Sequence, residues 1–136
     1  MGQRVGIDLT SVEAVREAVE AHGERYLRRV YTDREVADCQ GDPTRLAARF
    51  AAKEAARKVL RPGPGTPLPW PEIEVVRDAD GWVDLVLTGR AAARAAEQGL
   101  SGFTLSLSHE GASACAVVIA VQESGLQREG GPADAR

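Results

Sequence analysis

Residues 42–60 contain the strongest helix signal in the chain, and this helix limits the folds that the rest can adopt. Asp42 followed by Pro43 is typical of an N-cap and a first helical residue. The run TRLAARFAAKEAARKVL then reaches Leu60 without a glycine or a further proline. Residues 61–71 end the helix because they hold five of the seven prolines and two glycines. We therefore expect one long helix followed by a loop that is long enough to have a binding role.

Shorter elements surround this helix in the sequence. Ser11 can cap a helix, and Thr32 with Glu35 has the spacing of a capping box. A turn signal from Asp78 to Gly81 separates two apolar runs, as in a hairpin. We expect further elements over 4–9, 11–22, 72–77, 82–88, 90–98, 103–108 and 114–121. Together they predict an α+β fold, in which a small, mainly antiparallel sheet packs against one long helix and shorter helices.

Length and composition limit the class of protein. A chain of 136 residues with 43% hydrophobic and 27% charged residues is typical of one globular domain. We expect that domain over 1–121, with a flexible C-terminal tail over 122–136. No run of about 18 apolar residues occurs, so no membrane partner is expected. Cys39 and Cys115 are too few for a disulfide scaffold and are typical of reduced thiols, which predicts a cytoplasmic protein.

Charge is unevenly distributed along the chain, whose formal net charge is −3. Residues 25–61 hold ten Lys or Arg against five Asp or Glu, whereas residues 62–136 hold five against ten. The basic block indicates a site for an anionic partner, either a phosphate-rich small molecule or an acidic protein; the alternative is a solvated helix face. Nucleic acid is not an expected partner, because the block has few aromatic residues for stacking and no binding motif.

Glu54 is the residue of the long helix that stands out chemically. At about 100° per residue it falls in the middle of an apolar face formed by Phe50 and several alanines. A carboxylate there is unfavourable unless a cation pairs with it. Lys58, one turn later, is the simplest partner, in a helix salt bridge. The alternative is a hard divalent cation such as Mg²⁺, which takes one or two protein carboxylates together with waters and substrate phosphates.

Asp8 is a candidate for the second carboxylate. It ends the short apolar strand VGI, and a strand end would present it at the rim of the sheet. In isolation it fits a turn or capping aspartate equally well. The sequence pattern alone does not bring Asp8 and Glu54 together.

Four segments of the chain resemble those of a known family. They are the strand GIDL, the helix RFAAKEAARK, the hairpin segment IEVVRDADGWVDL and the late segment SLSHEGASACAVVIA, in this order over residues 5–121. Together they resemble the holo-acyl-carrier-protein synthases, the small single-domain phosphopantetheinyl transferases. FAAKEA at 50–55 and SLSHE at 106–110 are the most specific pieces.

The resemblance implies an activity and its cofactors. Members of this family transfer the 4'-phosphopantetheine arm of coenzyme A to a serine of an apo acyl carrier protein, for fatty-acid or polyketide biosynthesis, and release adenosine 3',5'-bisphosphate. The resemblance also implies Mg²⁺ held by Asp8 and Glu54, an acidic carrier protein as partner, and a homotrimer with its sites between protomers. The alternative is a catalytically degenerate module that binds coenzyme A or a carrier protein without turnover.

The same resemblance assigns the remaining site residues. Contacts to coenzyme A are implied for Lys53, Lys58, Arg49, Gly63, Gly65, Ser108 and His109. Contacts to the carrier protein are implied for Arg16, Arg25, Arg28 and Arg29. The general base stays open between Glu54, acting directly or through metal-bound water, and an acid such as Asp33. Arg61 and Pro67 stand where the family commonly has glycine, which bears on the loop conformation and on the carrier preference.

Overall fold

The computed structural model describes residues 1–123 of the chain, which contain five α-helices and five strands. In chain order the elements are β1 (Gly2–Ser11), α1 (Val12–His22), α2 (Glu24–Val30), α3 (Asp33–Cys39), α4 (Pro43–Leu60), a 3-10 helix (Trp70–Glu72), β2 (Ile73–Arg77), β3 (Val83–Leu87), α5 (Gly89–Glu97), β4 (Leu100–Glu110) and β5 (Ser113–Gln122). The three long strands form an antiparallel sheet in the order β1-β5-β4, and β2 and β3 form a separate antiparallel hairpin. The expected α+β fold is confirmed.

Helix α4 occupies the centre of the molecule. On one side its alanines and Val59 pack against the inner face of the sheet, where Val118 is fully buried. On another side Leu46 packs with Val15 of α1 and Cys39 of α3 in a second apolar cluster. Helix α4 is therefore covered around most of its circumference, and only a few of its side chains reach solvent.

Strand β1 lies directly against the backbone of α4. A Cβ atom added at Gly6 would lie 2.2 Å from the carbonyl oxygen of Ala55, well inside van der Waals contact, so that only glycine fits there. Alternate residues of a strand face the same side of the sheet. Asp8, two residues after Gly6, therefore faces α4 as well, and the close contact fixes its position relative to the helix.

Three helix starts agree with the sequence. The side chains of Ser11 and Asp42 accept hydrogen bonds from backbone N–H groups two or three residues later in the chain. Thr32 and Glu35 form the complete capping box at the start of α3. The three predicted caps are confirmed.

Other boundaries differ from the sequence expectation. Helix α2 is absent from that expectation; it follows Gly23 directly and has no side-chain cap at its start. Asp8 lies inside β1 rather than at its end, because β1 continues to Ser11. The tail expected over 122–136 begins inside a strand, since β5 includes Gln122, and residues 124–136 lie outside the described residues. The domain boundary at 121 stays a prediction.

Residues 1–123 contain no helix that combines the length and the apolar character needed to cross a bilayer.

Candidate active site

Asp8, Glu54 and Lys58 come together where β1 crosses α4. The Nζ atom of Lys58 lies 2.7 Å from the carbonyl oxygen of Ile7 and 3.3 Å from Oδ1 of Asp8. The hydroxyl of Thr10 donates to the other carboxylate oxygen of Asp8 at 3.1 Å. The side chain of Asp8 is 19% exposed and that of Lys58 is 55% exposed, so this group opens to solvent.

Two carboxylates in this group influence one another. Burial, and then the charge of Asp8, raise the pKa of Glu54 above its ordinary value, while Arg57 and Lys58 oppose the shift. The simple alternative of a helix salt bridge between Glu54 and Lys58 is not present among residues 1–123, where Lys58 pairs with Asp8 instead. Glu54 is thus a partly buried carboxylate next to a like charge, a position that a bound cation would stabilise.

The donor set fits a magnesium ion. Asp8 and Glu54 supply carboxylate oxygens, the ligands that hard divalent cations prefer, and Mg²⁺ commonly takes only one or two of them and completes its shell with waters and phosphates. No third His, Cys, Asp or Glu joins them in a cluster within the described part of the chain. The arrangement suits an ion that is shared with a substrate phosphate better than a closed, all-protein metal cage.

A second group of candidate residues lines a separate pocket, here called the arginine pocket. It has a volume of about 430 Å³ and lies between the start of α4, the β2–β3 hairpin and the end of β4. Its lining includes Arg45, Arg49, Arg77, Trp82, Ser108 and His109. Three arginines and a histidine around one cavity indicate an anion as its ligand.

Two buried polar atoms in the arginine pocket lack protein partners. Arg49 is only 4% exposed, and its Nε atom has no hydrogen-bond partner. Oδ2 of Asp38, another lining residue, is also buried without a partner. Buried polar atoms are normally satisfied, so these two atoms mark the pocket as one that is completed by a ligand or by water.

The arginine pocket and the Asp8–Glu54 pair lie on different sides of α4. Arg49 and Glu54 are five residues apart, which corresponds to a rotation of about 140° around a helix. The structure therefore brings Arg49, Ser108 and His109 together, and brings Asp8, Glu54 and Lys58 together, but it does not join the two groups within one chain.

A third feature, here called the aromatic cavity, borders the carboxylate side of α4. Its volume is about 590 Å³. Its lining includes His22, Arg25, Tyr26, Arg29, Phe50 and Trp70. Phe50 lies one helical turn before Glu54, so both side chains project from neighbouring positions on one face of α4. The cavity combines aromatic side chains with two arginines of α2, Arg25 and Arg29.

The four arginines expected to contact a carrier protein occupy different surroundings. Arg25 and Arg29 line the aromatic cavity. Arg28 pairs with Glu24 at 3.0 Å and Arg16 with Glu13 at 2.9 Å, and both pairs are exposed. All four belong to α1 and α2, so the structure groups them in one region of the chain.

The expected contact between Lys53 and coenzyme A is wrong. Lys53 is fully buried, and its ammonium group donates to Glu35 at 2.8 Å and to the carbonyl oxygens of Trp70 and Ile73 at 3.0 and 2.7 Å. An ammonium group has three N–H donors, and all three are used. No donor is left for a phosphate, so Lys53 belongs to the interior of the protein.

The loop glycines have a local structural role. Pro64 and Gly65 occupy the centre of a turn in which the N–H of Thr66 donates to the carbonyl of Gly63 at 3.1 Å. Gly65 has φ of 75°, which fits the third position of a type II turn. Arg61, which stands at a family glycine position, adopts a left-handed φ of 49° at the end of α4. The contact of Gly63 and Gly65 with coenzyme A stays a prediction.

Sequence reasoning missed several residues that line these cavities. Arg45, Arg77 and Trp82 join the arginine pocket, and Tyr26 and Trp70 join the aromatic cavity. Trp82 is 75% exposed, which is a large apolar area to leave in water. The position of Trp82 beside the predicted hairpin turn is the sequence signal for this pocket, since aromatic side chains are scarce in this chain.

Comparison with known proteins gives a consistent picture. A family model described as the 4'-phosphopantetheinyl transferase superfamily matches residues 4–118. The chain is similar to the holo-[acyl-carrier-protein] synthases of Herpetosiphon aurantiacus, with 42% identity over 120 residues, and of Carboxydothermus hydrogenoformans, with 44% identity over 117 residues. Each alignment covers 84% of this chain and 94% of the relative.

Solved structures of similar proteins share the fold. An ACPS–CoA complex from Chronobacterium ammoniagenes is 29% identical, has a TM-score of 0.78, and is matched over 90% of this chain and 99% of that chain. The acyl carrier protein synthase of Mycobacterium tuberculosis is 34% identical, with a TM-score of 0.69 and coverage of 88% of this chain and 96% of that chain.

Proposed function

Because this chain belongs to the 4'-phosphopantetheinyl transferase superfamily, we propose that it acts with a magnesium ion held by Asp8 and Glu54. It transfers the phosphopantetheine arm of coenzyme A to a serine of an apo acyl carrier protein, and so forms holo carrier protein and adenosine 3',5'-bisphosphate. The observation that carries the magnesium proposal is the meeting of two distant carboxylates beside an accessible Lys58, where burial and then the charge of Asp8 raise the pKa of Glu54.

The proposed metal ion and Lys58 would both stabilise negative charge on coenzyme A. A bound magnesium ion would stabilise negative charge on the pyrophosphate of coenzyme A. Lys58, held by Asp8 and the carbonyl of Ile7, adds a positive charge that can reach a phosphate oxygen because its side chain is 55% exposed. Transfer of this kind depends mainly on positioning and electrostatics.

Glu54 is our proposed general base for the serine hydroxyl. Burial and Asp8 raise the pKa of Glu54 in the absence of a metal, and a bound cation would oppose that shift, so the assignment depends on the position of Glu54 beside Asp8 and Lys58. Asp33 is the weaker alternative, because it lies exposed in the first turn of α3 and is not part of the group formed by Asp8, Glu54 and Lys58.

The arginine pocket is our proposed site for the nucleotide end of coenzyme A. Arg49, Ser108 and His109 would contact its phosphates, and Arg49 Nε is a buried donor that still needs an acceptor. The exposed indole of Trp82 offers a flat apolar face to a nucleotide base.

An acidic carrier protein is the partner that fits α1 and α2. Arg25 and Arg29 line the aromatic cavity next to the face of Glu54, and Arg16 and Arg28 lie nearby in sequence on exposed helix faces. A basic surface attracts an acidic partner and disfavours like-charged ones. We assign the reaction to the cytoplasm, in fatty-acid or polyketide biosynthesis, in keeping with the unpaired cysteines Cys39 and Cys115.

We further propose a homotrimer whose sites lie between protomers. Val5, Ile7 and Leu9 of β1 are each at least 60% exposed and share one sheet face. The register pairs them with Ile119, Val117 and Cys115 of β5, which widens the apolar face. Large exposed apolar faces are typical of interfaces. An assembly through this face would allow the arginine pocket of one protomer to serve the carboxylate pair of the next.

The transferase is tested by incubating apo carrier protein with coenzyme A and Mg²⁺ and measuring the carrier mass. We expect the mass to increase by one phosphopantetheine, and we expect the increase to disappear when the metal is chelated. Tight binding of coenzyme A without any mass change, across a panel of fatty-acid and polyketide carriers, would instead support the degenerate binding module. Coenzyme A should raise the melting temperature in either case.

The shared site is tested by mixing two inactive variants, Glu54→Gln and His109→Ala. If each site uses Glu54 of one protomer and His109 of its neighbour, randomly mixed trimers contain intact sites, about one quarter of the total, and activity returns. No recovery would contradict a site between protomers. Val5→Glu should dissociate the trimer in light scattering, whereas the matched change Val86→Glu on the β2–β3 hairpin should not.

A further inference from the structure

A fully buried ion pair joins α3 to α4 without belonging to the proposed reaction. Glu35 and Lys53 are both 0% exposed and lie 2.8 Å apart. Glu35 accepts hydrogen bonds from Lys53 and from the backbone N–H of Thr32 on one oxygen, and from the N–H of Val75 on the other. Taking two charges out of water is costly, and an apolar pair of similar volume often stabilises a protein equally well. Stability alone therefore does not account for this pair.

One of the two carbonyl groups held by Lys53 belongs to Trp70, which forms one wall of the aromatic cavity. The ammonium group of Lys53 donates to the carbonyl oxygens of Trp70 and Ile73, which lie at the start of the 3-10 helix and immediately after it. The ring of Trp70 then packs against Phe50 at 5.2 Å between centroids, and under the guanidinium of Arg57 at 4.7 Å. The orientation of the Trp70 wall thus depends on the buried ammonium group.

A second aromatic wall of the cavity, Tyr26, is connected to the same ammonium group through Tyr31. Nζ of Lys53 lies 5.8 Å from the ring centroid of Tyr31. Tyr31 is buried, donates its hydroxyl proton to the carbonyl of Leu46 at 2.8 Å, and contacts Tyr26 edge-on at 5.9 Å. Tyr26 lines the aromatic cavity. Both aromatic walls are therefore braced by one charged group that is inaccessible to solvent.

We propose that Glu35 and Lys53 are positioning residues for carrier docking, which hold Trp70 and Tyr26 around Phe50 so that the aromatic cavity is formed before the carrier arrives. The inference rests on the proposed function, in which the carrier protein approaches over this cavity. A positioning role differs from a purely structural role because it predicts an effect on carrier binding and not on coenzyme A binding. A preformed cavity lowers the cost of ordering side chains on binding, so loss of the pair should weaken carrier recognition and spare coenzyme A binding at the arginine pocket.

The main test uses the double variant Glu35→Gln/Lys53→Met, because a single change leaves one charge buried without its partner. Kinetics are measured at a temperature where circular dichroism shows full folding. We expect the KM for apo carrier protein to rise about tenfold or more with a much smaller change in kcat, the sign of lost binding. The dissociation constant for coenzyme A should stay within about threefold in calorimetry. An unchanged carrier KM, or equal losses for both substrates, would overturn the proposal.

Milder variants keep the proposal testable if the double variant does not fold. Tyr26→Ala removes one aromatic wall and leaves the buried ion pair intact; it should raise the carrier KM less than the double change. Trp70→Ala keeps the carbonyl that Lys53 holds and removes only the wall, so it should raise the carrier KM with coenzyme A binding intact. An unchanged carrier KM in both variants would overturn the proposal.

The two tryptophans provide a matched control. Trp82→Ala, in the arginine pocket, should show the reverse pattern, with weaker coenzyme A binding and an unchanged carrier KM. If the native protein does not modify any carrier, the proposed function itself fails. If the native protein is active but the Glu35 and Lys53 variants keep a normal carrier KM, the positioning role fails while the proposed function stands.

Discussion

Lys53 and Glu54 are neighbours in α4, yet they belong to two regions that treat charged side chains in opposite ways. Lys53 and Glu35 are excluded from water and are satisfied by protein groups on every side. Glu54 lies beside Asp8, a like charge, and the nearby Lys58 is more than half exposed. Charges that the protein satisfies completely have no hydrogen-bonding capacity left for a ligand, whereas charges that it leaves in mutual repulsion are available to one.

The largest expected effect, on turnover, comes from a substitution that breaks the carboxylate pair of Asp8 and Glu54. Glu54→Gln should lower turnover by about 10²–10⁴-fold, the range for loss of an acid–base group. The free energy of unfolding should stay the same or rise, because one of two neighbouring like charges is removed. Mass spectrometry of holo carrier protein and urea unfolding measure the two quantities. Near-normal turnover in saturating Mg²⁺ would contradict the role of Glu54. Glu97→Gln, which changes an exposed acid on α5, is the matched control and should alter neither quantity.

Removal of one charge from the buried Glu35–Lys53 pair should lower stability rather than turnover. Lys53→Met leaves Glu35 buried without a counter-charge, so the free energy of unfolding should fall by about 3–5 kcal/mol. Lys58→Met removes an exposed partner of Asp8 and should cost no more than about 1 kcal/mol. Urea denaturation curves of the two variants compare the two lysines directly. Similar losses for both would show that the distinction between the two regions is wrong.

The contact between β1 and α4 offers a test that connects the regions. Gly6→Ala places a methyl group against the backbone of Ala55, and we expect destabilisation of about 1–3 kcal/mol from overpacking. Turnover should fall as well, because β1 carries Asp8. Gly2→Ala, where no atom lies within 4 Å of the added Cβ, should stay within about 0.5 kcal/mol of the native protein. Thermal unfolding and the carrier assay together would show whether both effects occur.

The smallest expected effect concerns the end of α4. Arg61 adopts a left-handed conformation that costs a non-glycine residue about 1–2 kcal/mol, and the greater freedom of glycine in the unfolded chain offsets part of that cost. Arg61→Gly should therefore raise the free energy of unfolding by about 0.5 kcal/mol. The KM for coenzyme A should stay unchanged if this strain belongs to the fold. A rise in the KM for coenzyme A would instead show that the Arg61 side chain contributes to coenzyme A binding.

The sequence predicts those parts of the fold that depend on local contacts. Ser11, Thr32 and Asp42 cap their helices through groups two or three residues away, and such spacing is visible in the chain. Helix α2 has no side-chain cap and follows Gly23 without a loop, so no start signal separates it from α1. The proline-rich segment correctly marks the end of α4, but the 3-10 helix within it depends on contacts made after folding.

The candidate site is predictable to a lesser degree. Glu54 is conspicuous as a carboxylate on an apolar helix face, and the structure brings it near Asp8. Lys53 lies between Arg49 and Arg57 on the helical surface, and its burial depends on Glu35 and on two carbonyl groups that are distant along the chain. A helical wheel shows which residues share a face and not what covers that face. The helical pattern therefore does not predict that Lys53 pairs with Glu35 inside the protein.

The glycine at position 6 has a consequence for ion choice. Because the main chain of β1 rests on the main chain of α4 at this point, the two backbone segments that carry Asp8 and Glu54 are held at a fixed spacing. A gap fixed in this way favours one ionic radius over others, since small and large divalent ions require different oxygen separations. If Asp8 and Glu54 hold a metal ion as we propose, the absence of a methyl group at position 6 would limit which ion fits between them.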